Sequence, residues 1–119
     1  MKSLDNKSSM MLFNEGKDLF NKGELYEAHL KWEHIWKYGD NDSRKDIKGF
    51  IQMSGGLIKN NLGSVKATTY LLKKAMINIE NAKGLSKLVN TKSISNQLKL
   101  ALNSKSQSGD SSKEIIITI

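Results

Sequence analysis

His29 and Glu33 stand four residues apart in the segment EAHLKWEHIW. On a helix that spacing puts both on one face, where a carboxylate can orient an imidazole or the pair can share a metal ion. A catalytic zinc wants three protein ligands and an open position, and the only other histidine, His34, falls on the opposite side of the helix. Additional ligands would have to come from Glu27, Asp18, Asp46 or Gln52 after folding. No metal and no cofactor is therefore expected, with His29 and Glu33 as the only candidate ligands. The reading adopted is a polar network in which His29 donates to Glu33, and Glu33 also accepts from a Trp, a Tyr or Gln52. Such a network fixes helix register, because buried polar groups are normally satisfied. Trp32 and Trp36 share this face and can anchor a pocket or a partner, but at this spacing they are expected to be core. His29, Glu33, Trp36, Gln52 and Glu27 make up the candidate network or functional site.

The helix carrying these residues needs neighbours, and the sequence punctuates them with glycine. There is no proline, and the nine glycines take over as the breaks. Ser8 or Ser9 is expected to cap a first helix with Leu12, Gly16, Leu19 and Phe20 on one face, which Gly23 stops. The second helix starts near Glu24, puts Leu25, Ala28, His29, Trp32 and Trp36 inward with Ile35 at the edge, and ends at Gly39. Ser43, with Asp46 three residues later, reads as the cap of a third helix. Ile47, Phe50, Ile51, Ser54, Leu57 and Ile58 form one stripe there, and Gly49, Met53 and Gly56 a second, so this helix should be buried on two sides. After Gly63 and Ser64 a fourth helix runs to about Lys83 with Leu72, Ala75, Met76, Ile79 and Ala82 inward. Leu85, Leu88 and Val89 continue the packing, and Thr91 or Ser93 caps a weaker fifth helix carrying Ile94, Leu98, Ala101 and Leu102.

These elements predict an all-α fold, a compact bundle of four main helices plus a weaker fifth. Residues 1–9 are read as a flexible N-terminus, 10–103 as one helical domain and 104–119 as a flexible Ser-rich tail with a short apolar end, EIIITI. That end is β-branched and short, suited to a sheet edge or to lying on the bundle.

At 119 residues the chain can bury a self-sufficient core. The lack of cysteine excludes disulfides, thiolate metal sites and cysteine nucleophiles. MKSLDNKSS has positive charge without an apolar stretch behind it, and no window approaches a membrane span, so a soluble cytoplasmic protein is expected. The net charge of +7 is uneven: residues 1–46 hold eight Lys/Arg against nine Asp/Glu, and residues 47–109 hold ten lysines against Glu80 alone. Lys59, Lys66, Lys73 and Lys74 compose a basic face able to contact phosphates. The single arginine, Arg44, and the absence of aromatic interleaving argue for a solvated face.

FNKGELYEAHLKWEHIW followed by GFIQMSGGLIKNNLGSVKATTYLLKKA resembles the domain-of-unknown-function family 309. The likeness runs from about Leu12 to Lys83. Phe20, Asn21, Gly23, Glu27, Ala28, His29, Glu33, Trp36, Gly49, Ile51, Gln52, Gly63 and Ala67 fall on matching positions. The resemblance implies a helical bundle and supplies no reaction. The family commonly has Glu directly after the histidine, where this chain has Leu30. The first helix pair also looks like one tetratricopeptide unit, with Leu12, Gly16, Leu19, Phe20, Gly23, Ala28 and Trp32 on the small or apolar positions. No copy follows 34 residues later. The function expected is a non-enzymatic protein-interaction or self-associating module. A small metal-dependent or acid–base enzyme using His29 and Glu33 is the alternative, and weak nucleic-acid binding through the lysine-rich second half is the third.

Overall fold

The computed structural model describes residues 4–107 and 115–118. Five helices follow one another: α1 Asn6–Asn21, α2 Leu25–Tyr38, α3 Asn41–Asn61, α4 Val65–Glu80 and α5 Thr91–Gln107, with a short 3₁₀ turn at Leu85–Lys87 before the last. Among the described residues there is no strand, so the expected all-α bundle of four helices plus a fifth is what the chain forms. The Ser-rich stretch expected to be flexible falls largely on 108–114, outside the described residues, and α5 continues to Gln107.

Three helices start on the same chemistry. The Asp5 carboxylate accepts the Ser8 N–H at 2.7 Å, Asp40 accepts from Ser43 at 2.8 Å, and the Asn90 amide oxygen accepts from Ser93 at 2.9 Å. In each case an Asx side chain satisfies an otherwise orphaned amide three residues on. The serines expected as caps, Ser8 and Ser43, are thus the third helical residues, and α1 and α3 start earlier than the sequence suggested. The capping residue is the better short acceptor upstream.

Helices α2 and α4 start without a side-chain cap. Each follows a reversal built on a glycine with positive φ, Gly23 at 85° and Gly63 at 83°, where a side chain would be strained. The Glu24 N–H reaches back to the Leu19 carbonyl at 2.9 Å, and the Ser64 N–H to the Lys59 carbonyl at 3.0 Å, the bond that closes a helix ending in a left-handed residue. The two turns carry the same hydrogen bonds forty positions apart, and the correspondence extends into the helices. A Cβ on Gly16 would collide with the Trp32 ring, and one on Gly56 with Leu72. The chain therefore contains two similarly built helical hairpins, α1–α2 and α3–α4, with a period of 40 residues, longer than the 34 of a tetratricopeptide array.

Helix α3 is the centre. It buries Ile47, Gly49, Phe50, Met53, Ser54 and Gly56, and packs against both α2 and α4. Gly49 lets the Ile79 backbone come so close that a Cβ would stand 2.8 Å from its nitrogen. Around Trp32, which has no exposed surface, the rings of Phe13, Phe20 and Phe50 lie 6.1, 5.7 and 5.5 Å away between centroids. The indole N–H donates to the Phe13 carbonyl at 3.2 Å, so its one polar atom is satisfied.

The fourth helix stops at Glu80, short of the expected Lys83. Gly84 then passes so near Asp46 that a Cβ there would strike the carboxylate. This approach turns Leu85, Leu88 and Val89 onto the bundle. Residues 115–118 lie on the bundle as well, with Ile115 and Ile117 buried in the common core.

Candidate functional site

Ala28, Trp32 and Ile35 form the buried stripe of α2, at steps of four and three. His29 sits beside that stripe, and the next turn brings Glu33 over it. The Glu33 carboxylate lies 2.6 Å from His29 Nε2, and His29 Nδ1 lies 2.7 Å from the Ser54 hydroxyl on α3. Ser54 Oγ is also 3.0 Å from the Ile51 carbonyl. With a proton on Nε2 the imidazole donates to Glu33, and Nδ1 accepts from Ser54. With both nitrogens protonated, Ser54 accepts from His29 and donates to Ile51.

The order carboxylate, imidazole, hydroxyl is that of an activated nucleophile. Access decides against that use of it. Ser54 has no exposed surface, so no substrate carbonyl reaches its oxygen, while the His29 and Glu33 side chains are 19% and 37% exposed. As folded, the chain of three ties α2 to α3 through a hydroxyl on the buried face of the central helix.

The other residues singled out in the sequence are placed apart. Gln52 accepts from the Asn78 amide at 2.6 Å, joining α3 to α4. Glu27 is exposed beside the first turn. Trp36, expected in the core, is 38% exposed with the Arg44 guanidinium 4.9 Å above its ring. Ile35 takes the inward place because the stripe advances by three at that step. The partner that sequence reasoning missed is Ser54. Its only sequence signal is a hydroxyl in the apolar stripe of α3.

Among the described residues no group of three His, Cys, Asp or Glu could hold a metal. Asp46, offered above as a further ligand, instead lies against Gly84. Lys59, Lys66, Lys73 and Lys74 are all exposed. One aromatic does stand among them: Tyr70 is 62% exposed with the Lys74 ammonium 5.6 Å from its ring centroid.

Residues 13–71 match DUF309, a domain of unknown function. The DUF309 segment reaches from Phe13 in α1 to Leu71 in α4, so it contains His29, Glu33, Ser54 and both glycine turns. No match was found among curated proteins or among solved structures.

A cavity bordered by α1, α3 and the turn at residues 84–88 lies away from His29 and half outside the DUF309 segment. Its volume is about 260 Å³, and Ser9, Phe13, Ile35, Asp46, Ile47 and Leu88 are among its walls. Burial, then the nearby charges of Asp42 and Asp40, raise the Asp46 carboxyl above its ordinary value, with the Gly84 N–H pulling the other way. The Ser9 hydroxyl, in a residue 5% exposed, finds no hydrogen-bond partner among the described residues.

Proposed function

We propose that the domain is a non-enzymatic protein-interaction module that binds another protein surface or a second copy of itself. The observation that supports this reading is the apolar end of the bundle formed by the two glycine turns. Tyr26, Leu62 and Val65 are 62%, 73% and 61% exposed there, and Leu30, one turn along α2, is 44% exposed. Antiparallel connectivity brings the start of α2 to the end of α3, and a shallow hollow between them is lined by Gly23, Leu25, Tyr26, Ile58 and Asn61 together with the carboxylates Glu24 and Glu27. Apolar side chains gathered in this way mark contact surfaces more often than isolated ones do.

Sedimentation equilibrium of the full chain tests the proposal. A mass that rises with concentration, and returns to that of the monomer in a Leu62→Glu, Val65→Glu double variant, is expected. A strictly monomeric chain that retains no defined partner would overturn it. Acid–base chemistry at His29 and Glu33 is the second reading, supported by their partial exposure. It requires a substrate to be handled without Ser54, the hydroxyl the imidazole already holds.

A further inference from the structure

The segment Ile115–Thr118 is held by devices that read a peptide backbone. One carboxamide, Asn21 at the end of α1, engages both backbone groups of Ile117: its oxygen accepts the N–H at 2.8 Å and its nitrogen donates to the carbonyl at 2.9 Å. A second carboxamide, Gln97 on α5, does the same for Ile116, at 2.7 and 2.8 Å. The Asn90 N–H, just before α5, then donates to the Thr118 carbonyl at 2.7 Å.

These contacts alternate as an extended chain requires. In a strand the N–H and C=O of one residue point to one edge and those of the next to the other. Residues 116 and 118 are met from the α5 side and residue 117 from the α1 side. The side chains alternate too, with Ile115 and Ile117 buried at 5% and 3% exposure while Ile116 is 38% exposed and Thr118 is exposed. The two carboxamides thus stand where neighbouring strands would be. Each of the five hydrogen bonds named goes to the segment's backbone, so sequence preference rests on the two buried aliphatic positions.

We infer that this channel between α1 and α5 is a binding site for an extended peptide carrying β-branched aliphatic residues at alternate positions, and that Ile115–Thr118 is its resident occupant. Strand-like recognition of this kind takes affinity from main-chain hydrogen bonds and specificity from alternate pockets. A partner with an exposed segment of the same pattern competes with the resident one. The inference rests on the reading of the domain as a protein-interaction module, and it adds the chemistry of a partner and a surface separate from Tyr26, Leu62 and Val65.

The probe is a synthetic peptide of residues 114–118 with blocked ends, added to isotope-labelled full chain and followed by amide NMR. In an Ile115→Ser, Ile117→Ser chain, whose resident segment has lost its anchors, saturable binding is expected, at least tenfold tighter than in the unaltered chain. Adding Asn21→Ala should abolish it, and a peptide with serine at both isoleucine anchor positions should not bind. In the unaltered chain, excess peptide should move the Ile116 and Ile117 amide signals to released positions, which keeps the test independent of the variant's folding. Resident signals that stay in place together with a variant that takes up no peptide, or equal binding of the serine peptide, would overturn the inference. The Leu62→Glu, Val65→Glu chain should still bind the peptide, so loss of self-association and loss of this site are separately visible.

Discussion

Ser54 carries the heaviest consequence at the scale of single residues, because it is buried and serves both His29 and the Ile51 carbonyl. Ser54→Ala leaves His29 Nδ1 without that partner in a half-buried place and should cost about 1–2 kcal/mol. Glu33 is more exposed, and Glu33→Gln should cost less than about 1 kcal/mol. Urea unfolding of both variants checks the order, and equal midpoints to the unaltered chain would show that the network is not structural. Asp46 gives a pH-dependent counterpart. Its folded pKa is raised, so its contribution to stability is full below the unfolded value and is lost as pH rises through the folded one. Asp46→Asn should therefore raise the urea midpoint near neutral pH, and the gain should vanish at about pH 3, where both states are protonated. The capping carboxylates run the other way. Hydrogen bonds from Ser8 and Ser43 lower Asp5 and Asp40, so their stabilisation is present above the unfolded value and lost as pH falls through the folded values.

Among elements, adjacent glycines of α3 face opposite consequences. A Cβ on Gly55 would meet His29 Cε1 at 3.6 Å, an ordinary contact, whereas one on Gly56 would meet Leu72 Cδ2 at 2.9 Å. Gly55→Ala should stabilise by roughly 0.5–1 kcal/mol through helix propensity. Gly56→Ala should destabilise by about 1–3 kcal/mol as α4 is pushed away. Comparison of urea midpoints decides between them, and the matching Gly16→Ala, against the rigid Trp32 ring, should be at least as costly as Gly56→Ala. The shared turn and shared glycine are what make α1–α2 and α3–α4 behave as equivalent units. Their fillings differ, with Trp32 against Phe13 and Phe20 in one, where Phe50 reaches in from α3, and Leu72 in the other.

For the whole molecule, the surfaces differ in kind and their salt dependence separates them. The association proposed for Tyr26, Leu62 and Val65 would be apolar and should persist at high salt. Binding of nucleic acid by Lys59, Lys66, Lys73 and Lys74, with Tyr70 as a stacking platform, would fall steeply with salt. Sedimentation of the full chain at low and high salt, with and without a single-stranded oligonucleotide, distinguishes them. An association that disappears with added salt would count against the turn-end surface. No described helix is long and apolar enough to cross a membrane, and the exposed apolar residues lie on separate helices and turns of the bundle, not along one continuous span.

The amino-acid sequence by itself determined which segments are helical and where the reversals fall, because both are written in short windows. A 3.6-residue apolar period marks each helix, and Gly23 and Gly63 mark their turns through a backbone conformation that needs no knowledge of the rest of the chain. The caps are also local, but each Asx at position 5, 40 or 90 lies three residues before a serine of equal capping preference, and the sequence pattern alone does not choose between them. Only the tertiary structure decided which apolar side chain of α2 points inward at the last turn, Ile35 or Trp36, since a stripe advancing by three or by four fits the same sequence. It alone joined His29 to Ser54, 25 residues away, and gave Gln52 to Asn78, 26 away. Asn21 and Ile117 meet across 96 residues. Pairings at that separation depend on how whole helices pack, and nothing in the local pattern of either partner specifies them.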